Sequence, residues 1–329
     1  MLGWRRVVCG TGSADTDRKL DIPGTARPLR LIWSYATAIA LIHALALLAF
    51  LPWFFSWTGV GLALLGLYVF GTLGINLCFH RLLTHRGLVC PTWLEHSLAI
   101  LGLCCVQDTP ARWVAIHRRH HAQADEQPDP HSPLAGFLWA HLGWIVVRNQ
   151  ELVRPGLVSR YAKDIVRDPF YARLEPYPCW VGAILLSWAL FFAGGFIVEW
   201  LRGGSVDQAL QFGFSLLIWG VFVRTVLVWH ITWSVNSVTH LWGYRSYETG
   251  ESSRNNLIIG YISNGEGWHN NHHADPRSAR HGHRWWELDV TWLTIRLLAA
   301  LGLAERIVTP SVQRQSRAQG ALERSPAKD

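Results

Sequence analysis

The sequence predicts an all-α integral membrane protein: four transmembrane helices in two hairpins, capped by a cytoplasmic helical domain that holds a histidine-rich di-metal site. Three observations predict it. Half of the 329 residues are hydrophobic, and a mean hydropathy of +0.14 fits a membrane domain joined to a water-facing part. Four apolar runs reach the length of about 20 residues that spans a bilayer. Eight of the 16 histidines fall in three short clusters just outside those runs.

In chain order, residues 1–28 are polar with no apolar core and read as a flexible tail rather than a cleaved signal. The main domain runs over 29–305. Its first span, 31–51, is apolar apart from Ser34, Tyr35, Thr37 and His43. An aromatic break, Pro52-Trp53-Phe54-Phe55-Ser56-Trp57, leads to the second span, 60–79. The third and fourth spans, 179–200 and 209–229, flank a connector over 201–208. Between the two pairs, Trp93–Val106 and Gly136–Val147 are apolar but too short to cross a bilayer, and read as buried or interfacial helices. Tryptophans near the span ends (Trp33, Trp57, Trp180, Trp200, Trp229) suit an interfacial belt. Residues 306–329 read as a flexible C-terminal tail.

Charge sets the orientation. Lys and Arg outnumber Asp and Glu by 30 to 23. The connectors at 52–57 and 201–208 hold only Arg202, whereas the tails and the 80–178 segment are rich in arginine. The positive-inside rule therefore places both termini and all three histidine clusters in the cytoplasm, as in a bacterial inner membrane. The net charge of +7 reads as a lipid-facing bias, and no motif supports a nucleic-acid partner. The six cysteines show no metal-binding spacing and read as reduced thiols.

The clusters are His80-x4-His85, His117-x2-His120-His121 and His269-x2-His272-His273. Residues three and four apart share a helical face, so the second and third clusters each present three imidazoles together. Imidazole is the commonest metal ligand, and eight exceed the capacity of one first-row ion, so two metals are implied. Di-metal chemistry beside membrane spans points to redox work on a lipid.

These motifs resemble the membrane fatty acyl desaturases, specifically the Δ9 type related to stearoyl-CoA desaturase. Gly265-Glu266-Gly267-Trp268 ahead of the third box and Asn236-x3-His240 extend the resemblance. It implies one metal on His80, His85, His117, His121 and His272, a second on His120, His240, His269 and His273, and Asn236 acting through a water. It further implies two Fe2+ ions, O2 as co-substrate, and an acyl tunnel bent at Gln107, Trp113 and Thr232 and closed by Tyr68. The reaction implied is insertion of a cis double bond into a saturated acyl chain carried on CoA or a lipid. Zinc has no redox chemistry, so iron fits. No dinucleotide fingerprint, iron–sulfur spacing or haem domain is present in the sequence, so electrons must come from a separate donor of ferredoxin, rubredoxin or cytochrome b5 type.

The animal acyl-CoA enzymes carry an Arg-Asp pair where this chain has Ala115 and Ile116. That departure, with Asp129-Pro130-His131-Ser132-Pro133, resembles bacterial and plant Δ9 enzymes, some of which act on lipid-linked chains. Arg118, Arg119 and Arg148 read as solvated surface arginines. His43, His96, His131, His141, His230, His281 and His283 match no metal motif and are assigned structural or interfacial roles. The alternatives are a histidine-box hydroxylase or ketolase and, more distantly, a membrane metal transporter or sensor.

Overall fold

The computed structural model describes residues 19–153 and 156–311. The two predicted tails fall largely outside the described residues. What is described of them lies on the body: Leu20 donates to the Leu134 carbonyl, and Val308 donates to the Gly87 carbonyl and accepts from Ala279. The described residues form helices and no β-sheet, only isolated bridges.

Four helices are long and apolar enough to cross a membrane: α1 (Trp33–Phe50), α2 (Trp57–Thr84), α5 (Tyr177–Leu201) and α6 (Val206–Val238). Between them lie α3 (Thr92–Leu103) and α4 (Pro110–Ala122). After them come α7 (His269–Ala274) and α8 (Val290–Ala300). Local chemistry starts these helices where the chain turns. Ser56 caps α2 by accepting from the Gly59 amide. Ser205 and Gln208 form a reciprocal capping box on α6. Pro110 occupies the first turn of α4, where a missing amide hydrogen costs nothing.

α1 and α5 bury little of their surface, as lipid-facing helices should, whereas α2 and α6 are half or more buried. The inner pair is also longer than predicted. At 1.5 Å per residue, the 33 residues of α6 span about 50 Å, well beyond the roughly 30 Å hydrocarbon core. The surplus is a stalk that carries its histidines out of the apolar layer. This overturns one expectation: Trp229 is not in an interfacial belt. It is 2% exposed and donates its indole N–H to the Cys105 carbonyl, because α6 continues past it. Trp33, Trp57 and Trp200 are exposed as expected.

α3 crosses α2 at a glycine pair. A side chain on Gly74 would overlap the Gly102 backbone, so the two helices touch main chain to main chain. That contact packs α3 directly against α2 and leads the chain into α4. The main core lies where α2, α3 and α4 meet, around Leu77, Phe79, Leu82, Leu83, Ala99 and Val114.

Candidate metal centre and acyl cavity

Three helix ends deliver eight of the imidazoles. From Leu67 onward α2 winds in wide i→i+5 turns, so the His85 amide bonds the His80 carbonyl at 3.1 Å. A spacing of five residues is one turn of such a helix, and His80 and His85 therefore share a face. α4 and α7 use ordinary turns and cross over between two groups. In α4, His117 and His121 join the first group and His120 the second. In α7, His272 joins the first group, and His269 and His273 the second. His240, just past the end of α6, completes the second.

The structure thus gathers His80, His85, His117, His121 and His272 into one set and His120, His240, His269 and His273 into another, with ligand atoms within 4.8 Å of one another in each. Ring nitrogens face each other directly. His121 Nε2 lies 3.1 Å from His117 Nε2 and 2.9 Å from His272 Nε2, which is itself 3.1 Å from His80 Nε2. In the second set, His269 Nε2 stands 3.1 Å from the Nε2 atoms of both His240 and His273. Neutral imidazoles have too few protons to bridge so many nitrogens, and His85 Nε2 and His120 Nε2 are buried without any hydrogen-bond partner. Such converging lone pairs fit two cations.

Carboxylates behind the rings fix the tautomers. His80 Nδ1 meets Glu266 Oε2 at 2.5 Å, His120 Nδ1 meets Asp129 Oδ2 at 3.0 Å, and His240 Nδ1 meets Asp125 Oδ2 at 2.9 Å. Each carboxylate accepts a hydrogen bond from Nδ1–H, which turns Nε2 toward the metal position. Arg81, wholly buried, pairs with Glu266 at 2.9 Å and Asp289 at 3.0 Å and donates to the Ala279 carbonyl, tying α2 to the third histidine segment. Trp268 is buried against Gly260, and a side chain on Gly267 would overlap the Gly260 backbone. The Gly-Glu-Gly-Trp lead-in thereby seats α7 close enough for Glu266 to reach His80.

Electrostatics single out His240 among the ligands. Burial, reinforced by the neighbouring imidazoles, holds His85, His117, His121 and His272 well below the ordinary histidine range. The same holds for His269 and His273. His240 goes the other way: burial opposes its charge, but the Asp125 carboxylate, with Glu251 and Asp129 behind, lifts it to about 9. Burial alone would raise Glu266, yet Arg81 and His80 hold it well below the carboxylate range.

Asn236 is half-buried on α6, one turn before His240. The three bend residues come together. Gln107 donates to Thr232 Oγ1 at 3.0 Å and accepts from Trp113 Nε1 at 3.4 Å. Trp113 stacks on His117 at 5.1 Å, so the cluster abuts the first set. Thr232 also lines a cavity between α2 and α6, with Leu67, Gly71, Thr72, Asn76 and Val228. Tyr68 points elsewhere: its hydroxyl bonds Thr294 of α8 at 2.8 Å.

Sequence reasoning missed the carboxylates. Asp125 and Asp129 follow the second box closely and Glu266 precedes the third, and that proximity was the available signal. Two histidines assigned away from the metals are inside the site. His131 lies 4.4 Å from His120, ring to ring, and His281 lies 4.4 Å from His272, because the turn at 129–133 and the irregular segment at 279–283 fold against the boxes. Arg118 and Arg119 are not solvated. Arg118 clamps the carbonyls of Leu83, Thr84 and Tyr161, and Arg119 is buried beside Glu151. His96 has the structural role expected, bonded to Asp168 and stacked on Phe170. His43, His230 and His141 form a hydrogen-bonded chain between α1 and α6, ending on Ser237.

Comparison with known proteins agrees with this geometry. The fatty acid desaturase family model matches residues 55–304. An sn-1 stearoyl-lipid 9-desaturase of Anabaena variabilis is 44% identical over 81% of this chain and 90% of its own length. Another from Synechocystis sp. is 43% identical over 88% and 84%. An sn-2 palmitoyl-lipid 9-desaturase of Nostoc sp. is 40% identical over 86% and 93%.

Proposed function

The chain belongs to the fatty acid desaturase family, and from that premise we propose that it inserts a double bond at the 9-position of a saturated acyl chain esterified in a membrane lipid. The two converging imidazole sets carry this reading. Iron bound by them would supply oxygen activation and removal of two hydrogens from an unactivated methylene pair, which no side chain can do. His80, His85, His117, His121 and His272 would hold one ion, and His120, His240, His269 and His273 the other, with Asn236 positioning a water. Electrons would come from a separate donor protein.

The remaining residues position and exclude. Glu266, Asp129 and Asp125 hold the Nδ1–H of their histidines and so orient Nε2 toward the ion. Gln107, Thr232 and Trp113 hold one another, so a chain passing the first set is turned at a fixed place beside His117. Distance from the head-group anchor to this bend would set the position of the double bond. The buried walls keep water from the reacting carbons. A lipid carrier is favoured over CoA by the substrates named for the three relatives above, and by Ala115 and Ile116. Both are buried on α4, where the animal enzymes place a charged pair.

Expression in a desaturase-deficient host, followed by mapping of double bonds within each lipid class, tests the proposal. Alkene at the 9-position of glycerolipid chains is expected. Hydroxylated or keto products, or alkene confined to the CoA pool, would contradict it.

A further inference from the structure

Arg224 is the most anomalous residue in the membrane part. It is 0% exposed on α6, and among the described residues no carboxylate pairs with it. Its Nε donates to the Gly220 carbonyl at 3.0 Å, Nη1 donates to the Cys104 carbonyl at 3.3 Å, and the guanidinium lies over the Phe70 ring at 3.9 Å. Nη2 meets no oxygen acceptor. A cation held at membrane depth by carbonyls and a ring alone is costly and marks a functional position.

Its place relative to the cavity gives that function. α2 and α6 run in the same direction, and the cavity between them extends from Asn76 and Thr232 to Leu67 and Val228. Arg224 is one turn beyond Val228, and Gly66 and Phe70 stand at the same level on α2. A Cβ on Gly66 would come within 2.8 Å of Arg224 Cγ, and one on Gly71 within 3.3 Å of Val228. One glycine leaves room for the cavity and the other receives the arginine stem. We propose that Arg224, packed on Phe70 and Gly66, is the stop that limits acyl chain length, in place of Tyr68. The inference rests on the desaturase reading above. From Thr232 to Arg224 is eight residues, about 12 Å of helix, room for an extended saturated tail of about nine carbons past the bend. Nine carbons follow C9 in a stearoyl chain and seven in a palmitoyl chain, so both fit and an icosanoyl chain, with eleven, does not.

The pinning explains why this residue serves as a wall. Two carbonyls and a ring face fix the side chain, so it cannot swing aside as a free aliphatic chain would. Loss of the side chain would open the space up to Gly220 and Cys104.

The test uses the full chain expressed in membranes of a desaturase-deficient host fed palmitate, stearate and icosanoate. Arg224→Ala should raise the ratio of icosanoyl-derived to stearoyl-derived alkene about tenfold or more, as expected for methylenes newly admitted to an apolar pocket. The double bond, counted from the carboxyl end, should stay in place. Arg224→Met, which keeps the bulk without the charge, should leave the ratio near wild type, as should Tyr68→Phe. If Arg224→Ala does not accumulate, Phe70→Ala opens the same layer from α2 and carries the same expectation. Unchanged product lengths in whichever of these two accumulates would overturn the inference. Absence of alkene from the wild-type chain would instead overturn the desaturase reading beneath it.

Discussion

The nitrogen pairs of the two imidazole sets make the residue-scale account testable. His272→Ala and His120→Ala each remove one convergent nitrogen, one from each set, and should abolish alkene formation with membrane insertion intact. His96→Ala loses only an ion pair with Asp168 and a stacked ring, and should keep most activity; product analysis and membrane yield check both. Glu266→Gln keeps the shape but not the charge behind His80. It should weaken metal binding at the first set by about 10–100-fold, read by chelator competition. The pH dependence of the two sets should differ. His240 is lifted to about 9, so below that pH a metal must displace its proton, and affinity at the second set should fall about tenfold per pH unit on acidification. His85, His117, His121 and His272 stay neutral far below the ordinary range, so these four ligands add no such pH dependence to the first set. Metal release between about pH 8.5 and pH 6 should therefore be biphasic. Coincident release from both sets would contradict the electrostatic reading.

Elements explain why some of this was legible in the sequence and some was not. The i, i+3, i+4 spacings in α4 and α7 announce a shared face by themselves. His80 and His85 do not fit an α-helical face, and only the wide turns of α2 make a five-residue spacing equivalent to one turn. The four spans were readable from apolar length, but the ends of α2 and α6 were not. Both helices continue after the hydropathy signal fades, which is why Trp229 was misplaced. Two of the carboxylates reach their histidines across the fold, Glu266 to His80 and Asp125 to His240, so those pairings were invisible in the sequence, whereas Asp129 lies only nine residues from His120. The α2–α3 crossing yields its own prediction. Gly74→Val would force main chain from main chain at Gly102 and should cost about 1–3 kcal/mol. It should lower the thermal midpoint in detergent and loosen both histidine sets, since α2 and α4 are joined through α3.

At the scale of the whole molecule, two membrane hairpins return every histidine cluster to one side, and the inner helices of both hairpins carry the cavity. The predicted orientation puts that side in the cytoplasm, where the arginine-rich segments lie. Reporter fusions at Ser56 and Ser205 should score as external, and fusions at either terminus as cytoplasmic; a cytoplasmic score at Ser56 or Ser205 would break the two-hairpin topology. The lipid-facing α1 and α5 flank the cavity-bearing α2 and α6, which suits a substrate that arrives from within the bilayer. Everything proposed for the reaction depends on two ions sitting in the two imidazole sets. Anaerobic reconstitution of the purified chain with ferrous iron, with metal counted per chain, tests that most directly. Two irons per wild-type chain are predicted, with His85→Ala and His269→Ala each holding about one. A single iron in the wild type, or two retained in both variants, would contradict the account.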